Sequence, residues 1–256
     1  MKKGIYFFLL PWLTAGFILT AGFYFATFKF YFLAAALAVL FFQQALLLAG
    51  MFFSGFDIFF SCLRGHDLAK DGNYFLRFDD GPHPVFTIKI LDLLKRYGIR
   101  AVFCVNGNLA DRYPDIIKRI FNEHHLLVNH TYSHPYRLVF LSRRALKNEI
   151  EKTSAVLQRI TGKIPRFFAP PMGHRTPKMK EITGQLGMQV LMWDINSRDT
   201  REKNTDKILK NVLKKARQRS LLLFHDGILP FTRADRNNTI TAVEKIINHY
   251  REQQWI

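Results

Sequence analysis

Two cysteines in 256 residues exclude a disulfide framework. Cys62 closes an apolar stretch and Cys104 sits inside the strand-like run AVFCV, places where a thiol packs rather than ligates. Charge is nearly missing from the first 63 residues, which hold only Lys2, Lys3, Lys29 and Asp57. Acidic residues are scarce throughout, 20 against 37 Lys and Arg. Repeats, linkers and low-complexity tracts are missing after residue 64, so 64–256 reads as one catalytic-sized domain.

What fills the uncharged segment is apolar. Two runs, 4–28 and 30–53, are each longer than the roughly 20 residues a membrane helix needs. A cleavable signal peptide would explain the first after Lys2 and Lys3, but not the second. Residues 1–63 are therefore expected to form two transmembrane helices of an integral membrane protein, with a buried helical hairpin as the alternative. Gln43 and Gln44 inside the second run call for partners on the first. A hairpin returns the chain to its starting side. Lys2, Lys3, Arg64 and Lys70 flank it while Lys29 alone marks the bend, so the positive-inside rule leans towards a cytoplasmic domain.

Of the net charge of +17, the first 63 residues contribute +2 (three Lys, one Asp) and the remainder +15. A basic domain beside a bilayer is drawn to anionic lipid or acidic glycolipid. Nucleic acid is the other habitual partner of such charge. No recognition helix, zinc-finger spacing or aromatic RNA-binding motif accompanies it, and it is not the partner expected here.

After residue 64, short apolar strands alternate with amphipathic helices. Strands are expected at 74–78, 100–105, 125–129, 166–170, 188–193 and 220–225. Helices are expected at 87–98, after Pro114, and at about 142–161, 177–186, 203–218 and 238–251. Apolar strands between helices indicate a parallel sheet covered on both faces, an α/β domain of barrel type with its site at the C-terminal strand ends. The polar residues collect at those ends. Asp79 and Asp80 follow the first strand, His130 and His134 the third, Asp199 follows MQVLMWDI, and His225 with Asp226 follows SLLLF. Adjacent carboxylates disfavour joint ionisation unless something compensates them. Two histidines at i and i+4 plus one carboxylate make the ligand set of a catalytic zinc-type site, which would compensate them. The second carboxylate is then free to take a proton from water acidified by the cation.

These residues lie in ordered motifs. FDDGP (78–82), HTYSH (130–134), FFAPPMG (167–173), WDINSRD (193–199) and LLLFH (221–225), with VFCVNG (102–107), resemble the NodB-like polysaccharide deacetylases of carbohydrate esterase family 4 over about residues 72–250. The resemblance implies a distorted (β/α) barrel of fewer than eight strands and metal-dependent removal of N-acetyl groups from an amino-sugar glycan or lipid-linked sugar. It makes Asp79 the base, Asp80, His130 and His134 the metal ligands, His225 the acid and Asp199 its anchor. Met172, with Pro171 and Arg175, falls in the oxyanion and substrate groove. Zinc fits the ligand types, with cobalt or nickel as alternatives. A bacterial cytoplasmic membrane is the expected location. Deformylation of a lipid-linked amino sugar and a catalytically silent glycan-binding role stay open.

Three positions depart from the pattern. Ala169 stands where the family has the arginine that pairs with the base, so Asp79 is expected to be less firmly held unless Arg175 or Arg198 reaches it. Met172 replaces an aromatic residue, and Thr200 a tryptophan. Among the rest, His83 reads as a rim residue, His124, His125 and His249 as surface, His174 as a solvated loop residue, Asp226 as a turn former, and Trp193 as core.

Overall fold

The computed structural model describes residues 3–24, 29–53, 55–70, 74–227 and 235–256. The chain divides into two compact units, Met1–Ser61 and Cys62–Ile256.

In the first unit α1 (Lys3–Tyr24) and α2 (Lys29–Phe52) pack on each other. Small Ala15 and Ala36 are buried, as is Gln43, while Trp12, Phe17, Phe30, Tyr31, Phe41 and Phe42 are exposed. The first expected span, 4–28, ends outside the described residues. Among the described residues one helix, Phe30–Phe52, is long and apolar enough to cross a bilayer, and Pro11–Ala21 is a shorter apolar stretch.

The second unit is built on seven strands: β1 (Leu76–Gly81), β2 (Val102–Val105), β3 (Leu126–Asn129), β4 (Phe167–Phe168), β5 (Gln189–Val190), β6 (Ile195–Asn196) and β7 (Leu222–His225). They form one parallel sheet in the order β5-β4-β3-β2-β1-β7-β6, curled into a half-barrel. The helices are α3 (Phe86–Tyr97), α4 (Gly107–Arg112), α5 (Pro114–Asn122), α6 (Arg143–Thr161), α7 (Pro177–Gln185), α8 (Thr205–Leu213) and α9 (Asn237–Glu252). Two elements, α4 and β6, were not foreseen from periodicity; at six and two residues they are too short to carry one. The helix expected at 203–218 is likewise only Thr205–Leu213.

Side-chain alternation sets the layers. Leu76, Phe78, Phe103, Val105 and Phe224 point to the helix-covered face, where they meet Ile90, Leu94, Ile246 and Tyr250. Val102, Cys104, Val128, Ala169, Leu191 and Leu221 form a smaller apolar cluster. Arg77 and Asp79 lie two residues apart on β1, between the apolar positions Leu76 and Phe78 and beyond, so they share the opposite face. The apolar stripe Ile90, Leu91, Leu93 and Leu94 docks α3, and truncating any of these to alanine should cost about 2–5 kcal/mol. Gly98 ends that helix in the left-handed conformation, φ 64°, its N–H reaching Leu94 and Lys95 carbonyls.

Candidate active site

A regular strand would send Asp79 and Asp80 to opposite faces. The β1–β2 register breaks here: Asp79 pairs with Cys104 and Gly81 with Val105, leaving Asp80 over as a bulge with φ 72°. The extra residue turns both carboxylates to one side, and His130 Nε2 lies 3.7 Å from Asp79 Oδ2 and 3.4 Å from Asp80 Oδ1. The bulge is held from behind. Asn106 donates its backbone N–H to Gly81 O at 2.9 Å and its side-chain amide to Asp80 O at 3.3 Å, and the Asp226 N–H reaches Asp79 O at 3.1 Å. Gly227 passes so close that a Cβ there would meet Asp80 O at 2.0 Å.

Asp79 is gripped by Arg77. Nε and Nη2 donate to Oδ1 and Oδ2 at 2.7 and 2.8 Å, a two-pronged contact with both side chains buried. The guanidinium also donates to Leu191 O at 3.0 Å and lies 5.1 Å from the Trp193 ring centre. Burial alone would raise the Asp79 pKa, but the Arg77 charge and His130 hold it below the usual carboxylate range. The expectation that Ala169 leaves Asp79 loosely held is therefore overturned: the cation arrives from β1 itself, and neither Arg175 nor Arg198 is its source. Arg175 is buried with Nη1 facing Cys62 Sγ at 3.7 Å, off the lining of the cleft.

His130 directly follows β3 and presents Nδ1 to Ala169 O at 2.7 Å. Nδ1 must carry the proton for that contact, so a neutral ring directs its Nε2 lone pair at the Asp80 carboxylate. His134 Nε2 stands 3.1 Å from the same oxygen. HTYSH forms a tight turn with Thr131 and His134 both at positive φ. Glu149 on α6 clamps it, accepting from the N–H groups of Tyr132 and Ser133 at 3.0 and 2.8 Å and from the Ser133 hydroxyl at 3.0 Å. One ligand atom each from Asp80, His130 and His134 lies within 4.8 Å of the others, all three residues buried. Lone pairs converging on a carboxylate require a proton or a cation, and two imidazoles with one carboxylate fit a zinc-type ion with open positions. Burial would raise Asp80, yet with the imidazoles as donors their hydrogen bonds, together with the His225 charge, hold it well below the carboxylate range.

His225 ends β7, with Nδ1 2.8 Å from Asp199 Oδ1. Asp199 also accepts from Ser197 Oγ at 3.1 Å, the His225 N–H at 3.0 Å and Thr239 Oγ1 at 3.1 Å, so every direction of its carboxylate is used. Burial would lower His225, but the Asp199 charge, with Asp80 and Asp79 behind it, pushes its pKa up to about 9. Asp226 does more than shape a turn. Burial, reinforced by the Asp80 and Asp79 charges, pushes it up to about 7 while it accepts the Thr87 hydroxyl at 2.5 Å.

Asp79, Asp80, His130, His134 and His225 open on one cleft of about 880 Å³, also lined by Met172, Trp193 and Thr200. Pro171 is buried and, like Arg175, absent from its lining. Met172 is partly exposed with φ 56°. Trp193 is a wall of the cleft, braced between Arg77 and Gly173, rather than plain core; a Cβ on Gly173 would meet its ring at 2.4 Å. His83 caps α3, Nδ1 accepting from the Val85 and Phe86 N–H groups at 3.1 and 3.2 Å. His125 is buried, not surface, accepting from the Ala101 N–H at 3.1 Å, and burial lowers its pKa to about 4. Sequence reading missed Arg77, Glu149, Ser197 and Thr239. Only Arg77 left a signal, an arginine in a strand otherwise apolar on both sides.

The sequence model described as polysaccharide deacetylase matches residues 68–191. A peptidoglycan-N-acetylglucosamine deacetylase of Bacillus cereus is 37% identical over 172 residues, 67% of this chain and 61% of that protein. The chain thus spans less than two thirds of that relative's length. A chitooligosaccharide deacetylase of Sinorhizobium fredii is 30% identical over 71% of this chain and 87% of its own length. The solved structure of the Bc1960 peptidoglycan N-acetylglucosamine deacetylase, in complex with a naphthalenyl N-hydroxybenzamide, superposes with a TM-score of 0.66. It is 34% identical and covers 71% of this chain and 82% of that one.

Proposed function

The chain belongs to the polysaccharide deacetylase family, and from that premise we propose that it is a metal-dependent hydrolase removing N-acetyl groups from an amino-sugar glycan. The observation carrying this reading is the bulge at Asp80, which aims two carboxylates into one cleft with unequal company. Asp79 is paired with a permanent cation, whereas Asp80 sits between two imidazoles. Relatives described as acting on peptidoglycan and on chitooligosaccharides support an N-acetylated glycan as substrate.

Asp80, His130 and His134 would hold a divalent cation, zinc by ligand type, which would supply Lewis-acid polarisation of the amide carbonyl and acidify water. Asp79, kept ionised by Arg77, takes the proton of the attacking water. His225, protonated because Asp199 holds it so, gives its proton to the nitrogen as the C–N bond breaks. The Met172 backbone N–H is the candidate donor to the developing oxyanion. Acetate and a free amino sugar leave.

The N-terminal unit is read as a membrane anchor. Only 11% of the Phe30–Phe52 span is buried, unlike the core helix of a soluble domain, and large apolar side chains cover its outside. The net +15 after residue 63 would draw the domain to an anionic lipid surface of a bacterial cytoplasmic membrane. The test is acetate and formate release by the zinc-loaded full chain from N-acylated glycans and lipid-linked sugars, with Asp79→Asn as control. Acetate release abolished by the substitution supports the reading, and formate release alone would replace it with a deformylase. A protein that binds one metal per chain and releases neither would be a silent glycan binder.

A further inference from the structure

The lining of the cleft divides by chemistry. The ends of β1, β3 and β7 supply the reacting groups. The segment running from β6 through α8 supplies Arg198, Arg201, Lys207 and Lys210, with Glu202 as its one carboxylate. Lys207 Nζ stands 3.7 Å from Glu202 Oε2, and among the described residues no carboxylate comes within 4.0 Å of Arg198, Arg201 or Lys210. The catalytic half cannot balance them, since Asp79 is committed to Arg77 and Asp80 to the two histidines.

These cations are exposed to solvent but gather on one wall of the cleft. On α8, Ile208 and Val212 enter the core while Lys207 and Lys210, one turn apart, reach the cleft. Arg198 is placed by the backbone: its N–H donates to Asn196 Oδ1 at 2.8 Å. Thr200 lies in the same wall, where the resemblance leads one to expect a tryptophan, so this side offers a sugar charge in place of an aromatic face. A cleft of about 880 Å³ is near the top of the roughly 300–1,000 Å³ usual for ligand sites, with space beyond a single acetamido sugar. A neutral oligosaccharide would cover three unpaired cations with hydroxyls alone. An anionic group would meet two guanidinium forks and an ammonium, the donors suited to phosphate and carboxylate oxygens.

Resting on the deacetylase reading, we propose that this wall is a subsite for an anionic group, phosphate or carboxylate, carried by the glycan beside the sugar that is deacetylated.

The zinc-loaded full chain in detergent is tested on three matched tetrasaccharides: neutral N-acetylated, the same with a reducing-end phosphate, and one bearing a free lactyl carboxylate. At low ionic strength kcat/KM should favour at least one charged substrate by about tenfold, and the ratio should approach one in about 0.5 M NaCl, where exposed charges are screened. Which charged substrate wins identifies the anion. In Arg201→Glu/Lys210→Glu the charged-to-neutral ratio should fall to one or below. Equal kcat/KM for all three, or a ratio unchanged in the variant, would overturn the subsite. A variant that loses only binding to anionic vesicles would overturn it too, assigning these cations to the membrane. If no glycan is hydrolysed, the deacetylase reading fails separately. Calorimetric binding of the phosphorylated tetrasaccharide then decides the subsite: salt-sensitive binding weakened in the variant supports it, and identical binding refutes it.

Discussion

Replacing Arg77 by methionine, which keeps the bulk and removes the charge, tests whether the arginine on β1 maintains the base. Losing one partner of a buried pair costs about 3–5 kcal/mol. At about 1.4 kcal/mol per pKa unit, that is roughly 2–4 units on Asp79. His130, 3.7 Å away, and any bound cation remain, so the lower end applies. The acid limb of the kcat/KM profile should move up by about 2 units, making the variant roughly 100-fold slower below its new limb. Activity should recover towards alkaline pH until His225 deprotonates near 9. Stability supplies a second readout. With Arg77, the depressed Asp79 pKa gives stability that is present above the unfolded carboxylate pKa and lost as pH falls through the folded one. Without Arg77 burial is less opposed and the folded Asp79 pKa rises, so the deficit in melting temperature should be widest at neutral pH and shrink on acidification. Arg77→Lys, which restores charge without the fork, should recover part of the shift. An acid limb that stays in place, with a loss uniform across pH, would refute the reasoning and leave Arg77 a merely structural residue.

Asp199→Asn should remove the largest of the charges that raise His225, letting burial bring it down towards 6.5. The protonated fraction at pH 8 would then drop about 30-fold, and the basic limb of the profile would move down from about 9. Glu149→Ala frees three donors in the HTYSH turn. Zinc affinity, read by competition with a chromophoric chelator, should weaken about 10–100-fold, as when other outer supports of metal ligands are removed. Gly227→Ala places a Cβ 2.0 Å from Asp80 O. The bulge must shift, and both zinc content and turnover should fall while circular dichroism stays that of a folded domain.

Legibility in the sequence followed the length scale of each signal. Long amphipathic segments such as α3 and α6 were read to within a residue or two, because their apolar stripes and glycine stops are local. The strands expected at 166–170 and 188–193 are present but only two residues long, as β4 and β5, and the two-residue β6 carries no period from which it could be read. The residues proposed to react stood out because motifs set them after the apolar runs, and the fold brings Asp79, Asp80, His130, His134 and His225 to one cleft. Supporting residues were not. Glu149, Ser197 and Thr239 are ordinary polar residues whose meaning depends on which carboxylate or amide the fold brings to them. His125 was misread for the same reason, its imidazole serving a buried N–H that only the sheet register places beside it.

Ala169 and Arg77 together show what the pattern of motifs specifies and what it leaves free. In the role proposed for it, Asp79 needs a buried cation within hydrogen-bond reach, in a direction that leaves its cleft-facing side open. Position 169 lies in the smaller apolar cluster with Leu191. Arg77 enters the same region from β1, donating to Leu191 O while holding Asp79. Two full-sized guanidinium groups there would each demand a carboxylate, and Asp79 is committed to one. An arginine at 77 therefore makes a small apolar residue at 169 the compatible choice, and the two positions should behave as one unit. Ala169→Arg alone should destabilise the domain through an unpaired buried charge. Arg77→Thr alone should move the acid limb, and Arg77→Thr/Ala169→Arg should restore both limb and melting temperature further than the sum of the single effects allows. Strict additivity of the two substitutions would mean that position 169 has no access to Asp79 in this fold.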